Sequence, residues 1–257
     1  MIGNVVLDVD GVILLGGDPV PGAGNALHAL RDAGFRLVVA TNNATRTPQQ
    51  AADRIEALTG FAFDPALVVT STIALAGMIG SEDEPVLAVA EAGMALTLQS
   101  KGIIVTDDPL QAATVAVGLD RAFNYEVLSA ASGAVLRGAR LIASNTDATF
   151  PTPQGPAPGA GAMVAAVERV TGRAAEVAGK PHPPMQAAVE MNLVPGPVWM
   201  VGDRAETDLA FGRAAGWITV LALSGVTADP SKVREKLAPD WVINALAELP
   251  ALLIQSP

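Results

Sequence analysis

Short runs rich in Val, Leu and Ala recur along this chain, each closing on a glycine or a polar turn and each followed by a segment of helical period. That alternation is the mark of βα units. Their parallel strands are covered on both faces, so they read as continuous apolar runs and not as every-other-residue patterns. The spacing predicts strands at Asn4–Val9, Leu37–Ala40, Leu67–Thr70, Val198–Val201 and Ile218–Leu221, with helices at Asn25–Ala33, Pro48–Leu58 and Asp208–Ala215. The two ends of the chain thus supply one doubly wound sheet. Between them lies a second alternation, with strands at Val86–Ala90, Ile103–Val105, Thr114–Val117 and Leu141–Ala143 and helices at Met94–Gln99, Glu126–Leu136 and Ala162–Val170. Gly80-Ser81-Glu82-Asp83-Glu84-Pro85 is polar, charged and closed by proline, as a linker is. The expected architecture is α/β: a doubly wound, Rossmann-like parallel-sheet core from residues 1–79 and 177–257, with an α/β domain inserted at 80–176.

Composition removes much chemistry from such a scaffold. With no cysteine, disulfides, Cys-ligated zinc, iron–sulfur clusters and thiol nucleophiles are excluded. Two histidines, His28 and His182, leave little for a histidine-built metal site or triad, and His182 reads first as a local hydrogen-bonder. A formal net charge of −10 argues against a nucleic acid polymer or an anionic membrane as the main partner. The uncharged stretch Ala214–Ala228 falls short of the ~18–20 apolar residues of a spanning helix, and Met1 to Asp10 lacks a basic leader region. A soluble, cytoplasmic protein is expected.

The chemistry-bearing residues gather where strands are expected to end, which is where open α/β sheets bind ligands. Asp8-Val9-Asp10-Gly11 sets two acids one residue apart after the first strand. Ionised together they repel, and a cation or a retained proton relieves that; the plainer reading is an Asp-Gly turn. Thr41-Asn42-Asn43 follows the second strand and offers a hydroxyl, amides and backbone N–H groups to an oxyanion, or else a helix N-cap through Asn43 or Thr47. Gly179-Lys180-Pro181 supplies one point charge suited to phosphate, or a solvated surface lysine. Gly202-Asp203-Arg204-Ala205-Glu206-Thr207-Asp208 follows Val198–Val201. Asp203 with Asp8 would give the one or two carboxylates that Mg²⁺ commonly takes, and Asp208 either orients a neighbour or caps a helix. Pro21-Gly22-Ala23-Gly24 recurs as Pro158-Gly159-Ala160-Gly161, read as turns entering helices or as phosphate held on a helix N-terminus.

Four such motifs in this order resemble the haloacid dehalogenase superfamily, and specifically its NagD-like (subfamily IIA) phosphatases with a C2 cap between the second and third motifs. Gly118-Leu119-Asp120 followed by Tyr125, Asn145-Thr146-Asp147, the second Pro-Gly-Ala-Gly and the closing Pro239-Asp240 extend the resemblance over essentially the whole chain. Val12 stands where Thr is frequent, and Leu14-Leu15-Gly16-Gly17 replaces an aromatic, which puts an aromatic substrate contact at that point in doubt.

The resemblance implies a Mg²⁺-dependent phosphatase. Asp8 is the nucleophile that forms an aspartyl-phosphate, and Asp10 is the acid and then the base. Mg²⁺ lies on Asp8, the Asp10 carbonyl and Asp203, with Asp208 behind them. Thr41, Asn42, Asn43 and Lys180 bind phosphoryl oxygens, while Asn145 and Asp147 are cap-loop candidates for specificity or simply a polar Asx turn. Dehalogenase relatives lack the second acid, so Asp10 favours phosphate esters. Ten acids against six bases between Gly80 and Ala175 make no basic platform for a polymer. Small phosphorylated metabolites are the expected partners: sugar phosphates, glycerol phosphate, phosphoglycolate or nucleoside monophosphates. A homodimer through the cap is also expected. The rival readings are a non-catalytic phospho-acceptor and a small-ligand-binding protein on the same fold.

Overall fold

The computed structural model describes residues 2–152 and 155–254; Met1, Pro153, Gln154 and 255–257 of the expected segments lie outside it. The chain folds as two compact units, one of Met1–Thr41, Gln49–Val69 and Val189–Pro257, the other of Asn42–Pro48 and Thr70–Ala188.

The first unit is built on a six-stranded sheet in the order Trp241–Ile243, Ile218–Ala222, Val198–Gly202, Gly3–Leu7, Phe35–Thr41, Val68–Thr70. Gly3–Leu7 is buried at all five positions. Val5 and Leu7 share a core with Leu27 and Leu30 of helix Ala23–Asp32 and Ile55 of helix Pro48–Thr59. Burial of each such aliphatic side chain contributes about 1.5–3 kcal/mol, which is why the apolar run and not the hydrogen-bond ladder decides which strand is central. Helix Ala23–Asp32 buries Ala23, Ala26, Leu27 and Leu30, the i, i+3, i+4, i+7 stripe of a helix on a sheet. Asn4, polar in the middle of this strand, is satisfied by Val194: its Nδ2 donates to the Val194 carbonyl at 2.8 Å and its Oδ1 accepts the Val194 N–H at 2.9 Å.

The second unit holds a five-stranded sheet in the order Glu176–Val177, Arg140–Ala143, Thr114–Val117, Val86–Val89, Val105–Thr106, all paired in parallel. Helices Tyr125–Leu136 and Ala160–Thr171 pack on it through Ala131, Val135, Val164 and Val167. Glu176–Val177 is one of its two edge strands, and the unit runs on to Ala188. Arg140 gathers the two ends of the insert: its guanidinium donates to both oxygens of Glu176 at 2.8 and 2.7 Å, to Asp83 Oδ2 at 2.9 Å and to the Met78 carbonyl at 2.8 Å.

Several elements depart from the expected ranges for local reasons. The strand expected at Ile103–Val105 is Val105–Thr106, and Ile104 is exposed. The helix expected at Asp208–Ala215 is a π turn, Ala205–Leu209, followed by Ala210–Ala214. Leu14–Leu15 and Asp18–Pro19 form a small hairpin through Gly16-Gly17, with Gly16 at φ +62°. In the repeated Pro-Gly-Ala-Gly, glycine serves close packing. A Cβ on Gly24 would lie 3.1 Å from the Thr59 carbonyl carbon, and one on Gly161 2.5 Å from the Thr146 oxygen. Both copies are therefore tight entries to helices. No helix among the described residues is long and apolar enough to cross a membrane.

Pro239-Asp240 has a structural use. The Asp240 carboxylate accepts the Thr219 N–H at 2.8 Å and its hydroxyl at 2.7 Å, tying the entry of the edge strand to its neighbour. The Thr219 N–H above all, with its hydroxyl and the Arg213 charge, holds the Asp240 carboxyl below its ordinary value near 3.8, against the opposing effect of burial. A folded-state value below the unfolded one stabilises above the unfolded value, and that stability is lost as pH falls through the folded value. Asp240→Ala is therefore expected to cost about 1 kcal/mol at pH 7. Urea denaturation of both proteins at pH 7 and pH 3 reads this, and the gap between them must narrow at the lower pH.

Candidate active site

Three adjacent strands of the first unit end together. Leu7 pairs with Val39 on one side and Val201 on the other, so Asp8, Thr41 and Asp203 leave the sheet at its carboxyl edge. Asp8, Asp203 and Asp208, all buried, each place a carboxylate oxygen within 4.8 Å of the others. Asp10 lies outside that trio and is half-buried. Asp8 continues the ladder by one bond, its N–H donating to the Val201 carbonyl at 2.9 Å. The chain then turns tightly: the Val9 carbonyl accepts the N–H groups of Ile13 and Leu14 at 3.0 and 2.9 Å, and Asp10 bridges to Leu14. Val12, the residue that departs from the family pattern, is fully buried in the core, where an apolar side chain belongs.

Backbone without side chains makes room for these acids. Gly11, at φ +95°, faces Asp203 so closely that a Cβ would lie 2.6 Å from its Cγ, and a Cβ on Gly225 would do the same from another loop. The Asp203 Oδ2 accepts the Val226 N–H at 2.6 Å, and its carbonyl accepts Thr227 N–H at 3.1 Å. Asp208 Oδ2 reaches back to accept the N–H groups of Asp203 and Arg204, both at 3.1 Å. Of the two readings of Asp208, these bonds match the orienting of a neighbour, since neither the π turn nor the helix after it carries a side-chain cap. Buried, oxygen-only and like-charged, the three carboxylates fit a hard divalent cation of the Mg²⁺ kind.

In the second unit the remaining sequence candidates converge on Asn42. Its Oδ1 accepts the Lys180 N–H at 2.8 Å, and its Nδ2 donates to the Lys180 carbonyl at 3.1 Å and to Asp147 Oδ2 at 3.2 Å. The Asn42 carbonyl in turn receives Ser71 Oγ and Asn145 Nδ2, each at 2.8 Å. Gly179 is obligatory here, because a Cβ would lie 2.5 Å from Asn42 Oδ1 and 2.6 Å from the Ser144 carbonyl. Lys180 is only 3% exposed, so it is not a solvated surface lysine. Asn43 closes an Asx turn, its Oδ1 accepting the Thr45 N–H at 2.9 Å and hydroxyl at 2.7 Å. The Asn42 amide is thus engaged within the unit through both its oxygen and its nitrogen, and the Asn43 side-chain oxygen within its own turn. Asn145 and Asp147 do form the polar turn, Asp147 N–H donating to Asn145 Oδ1 at 3.1 Å, yet both also hold Asn42. His182 donates its N–H to the Gly179 carbonyl at 2.9 Å, and burial pushes its imidazole below the ordinary value.

Sequence reasoning missed Ser71, Ser224 and Gly225. The signal was present, since Ser71 follows strand Val68–Thr70 and Ser224-Gly225 follows shortly on Ile218–Ala222, the same strand-end position as every other site residue. Ser224 Oγ donates to the Gly11 carbonyl at 2.6 Å, joining the last of these loops to the first.

Comparison with known proteins shows which family the chain belongs to. A family model described as haloacid dehalogenase-like hydrolase matches residues 5–104, and a second model of HAD-like hydrolases matches 177–249. The chain is 33% identical to a dihydroxyacetone phosphatase of Corynebacterium glutamicum, over 96% of this chain and 90% of that one. It is also 33% identical to the ribonucleotide monophosphatase NagD of Escherichia coli, over 96% and 98%. A solved p-nitrophenyl phosphatase from Archaeoglobus fulgidus superposes with a TM-score of 0.89 at 30% identity, covering 97% of this chain and 98% of that one. The chain belongs to the haloacid dehalogenase superfamily of hydrolases, in its NagD-like phosphatase branch.

The contacts of Asp208 set an order of stabilities. Asp208→Asn keeps an acceptor for the two N–H groups and removes one of three close negative charges. Asp208→Ala leaves those N–H groups without it, at about 1–3 kcal/mol. In excess chelator, chemical denaturation is expected to rank the Asn variant above the Ala variant by that margin; the reverse order would mean that the carboxylate oxygen does not support the Asp203 loop.

Proposed function

We propose that this protein is a Mg²⁺-dependent phosphatase that hydrolyses a small phosphate monoester through an aspartyl-phosphate on Asp8. The observation that carries the reading is the buried trio Asp8, Asp203 and Asp208 at the carboxyl edge of the sheet. A hard cation would be held by the Asp8 carboxylate, the Asp10 backbone carbonyl and Asp203, with Asp208 fixing the Asp203 loop. When bound, Mg²⁺ supplies positive charge against the transferring phosphoryl group.

The chain's own residues then divide the work. An Asp8 carboxylate oxygen forms the new bond to phosphorus as the ester P–O bond breaks. Asp10 gives its proton to the departing alkoxide; it then takes a proton from water, whose oxygen displaces Asp8 and releases inorganic phosphate. The tight turn after Asp8 supports a separate role for Asp10, which is not one of the three clustered acids. To the Thr41 hydroxyl, the backbone N–H groups of Asn42 and Asn43, and the Lys180 ammonium we assign the phosphoryl oxygens.

The substrate is assigned as a small phosphorylated metabolite of the sugar phosphate, glycerol phosphate, phosphoglycolate or nucleoside monophosphate kind. Support comes from the acidic insert and from relatives named for dihydroxyacetone phosphate and ribonucleotide chemistry. Residues 80–176 are assigned as the C2-type cap that excludes water from the reaction. The protein is taken as cytoplasmic and as a homodimer joined through the cap, without nucleic acid polymer or membrane as partner. A monomeric mass by light scattering overturns the dimer.

Hydrolysis of p-nitrophenyl phosphate is expected with Mg²⁺ and lost in excess chelator. Asp8→Asn is expected to lower kcat by at least about 10³-fold, and a near-normal rate would remove Asp8 as nucleophile. Asp10→Asn has a different signature. Nitrophenolate leaves readily without a proton, so the first half-reaction survives better than the second. Stopped-flow measurement is expected to show a burst of nitrophenolate followed by slow turnover, and an equal loss in both phases would take the base role from Asp10.

A further inference from the structure

The side chain of Asn42 makes three of the four hydrogen bonds open to an amide, two of them to the main chain of Lys180. An asparagine amide has two N–H donors and a carbonyl oxygen with two lone pairs. Here the carbonyl accepts the Lys180 N–H at 2.8 Å, one donor goes to the Lys180 carbonyl at 3.1 Å, and the other to Asp147 at 3.2 Å. Gripping both polar groups of one residue's main chain fixes the orientation of its Cα, from which the side chain starts. Asn42 is itself held from behind, since its carbonyl accepts both Ser71 Oγ and Asn145 Nδ2 at 2.8 Å. Asn42, Ser71, Asn145 and Lys180 are all buried, and the frame lies within one unit.

A lysine has four rotatable side-chain bonds and, unlike arginine, no planar fork to pre-set its geometry. Where its ammonium stands depends on where its Cα is pinned, and an error of about 1 Å in a charge that meets a transferring group costs on the order of 10²-fold in rate. We infer that Asn42 is a positioning residue for Lys180, with Ser71, Asn145 and Asp147 as its supports, and that its side chain does not itself contact the phosphoryl group. This rests on the reading of Lys180 as a phosphate-binding group. It gives the insert loop Asn145-Thr146-Asp147 a role in phosphate affinity in place of one in substrate choice.

The test is a double-mutant cycle on the full-length protein with Asn42→Ala, Lys180→Ala and the double variant. It is read by calorimetric binding of inorganic phosphate with Mg²⁺ present, and by kcat and KM for p-nitrophenyl phosphate. Asn42→Ala is expected to weaken phosphate binding and raise KM by about 10-fold. In the Lys180→Ala background the same change is expected to alter phosphate binding by less than about twofold. A merely structural role would lower the active fraction, hence kcat, and leave the phosphate constant alone.

If Asn42→Ala does not give a cooperative melt, Asn145→Ala, which removes one of the two donors to the Asn42 carbonyl, carries the cycle with the same expected pattern and a smaller factor. Equal weakening of phosphate binding with and without Lys180 overturns the inference, because the amide then acts on phosphate by its own route. Unchanged phosphate binding in both Asn42→Ala and Asn145→Ala overturns it as well. Wild-type phosphate binding by Lys180→Ala alone is a separate result, which removes the role given to the lysine itself.

Discussion

Carboxylates crowded at the end of a sheet are the constraint from which the rest of the first unit follows. At 4.8 Å and an effective dielectric constant of ~20, two carboxylate charges repel by about 3 kcal/mol, and Asp8, Asp203 and Asp208 make three such pairs. Holding them together takes a rigid backbone, N–H donors to the Asp203 and Asp208 carboxylates, and space that no side chain occupies. Parallel register supplies the first, because Leu7 is pinned between Val39 and Val201. The N–H groups of Asp203, Arg204 and Val226 supply the second. Gly11, Gly202 and Gly225 supply the third, each standing where a Cβ would meet one of the acids. An arrangement that concentrates charge at this expense is explained by a ligand that returns it.

The second unit is again built on a parallel sheet, of five strands in a different order, and fills the carboxyl edge differently. Its strands Val86–Val89, Thr114–Val117, Arg140–Ala143 and Glu176–Val177 lead into Glu91, Arg121, Asn145 with Asp147, and Lys180. Opposite charges are set beside one another there: Arg121 pairs with Glu91 and lies over the Phe150 ring, 5.3 Å from its centroid. Amides do the remaining work. A neutral asparagine can hold a lysine's main chain without competing for the ammonium charge, whereas a carboxylate in the place of Asn42 would compete.

Long apolar runs made the fold legible. Strands buried on both faces leave a signal that survives without an alignment, and Gly3–Leu7 and Phe35–Thr41 stand where the Val and Leu runs put them. The acids were legible for a related reason: strand ends are few, and Asp8 and Asp203 stand directly after two of them. Helix Ser71–Ala76 was hidden because it is six residues long and follows its strand with no intervening loop, and helix Pro183–Glu190 because it opens on two prolines. The short hairpin after Leu14 escaped despite the Gly16-Gly17 turn, since two-residue strands carry no periodicity. Asn42 shows the deeper limit. Its residue type and its place after a strand are the same whether its amide meets a phosphate or a lysine backbone, and only the fold brings residue 180 to residue 42.

Thr41 and Asn42 are neighbours in sequence to which different tasks are proposed, and the backbone bears on that difference. Thr41 is the last residue of an extended strand, and successive side chains of an extended chain point to opposite sides. Asn42 is the first residue after that strand, and its amide is taken up by the Lys180 main chain and Asp147. Two donors meant for the same phosphoryl oxygen would be better placed two residues apart, or drawn from the backbone N–H groups that a turn gathers on one side. By this reasoning a polar pair at a strand end is not two copies of one function. The amide of Asn42, with three of its four hydrogen-bonding positions taken by Lys180 and Asp147, is marked by those bonds as a support.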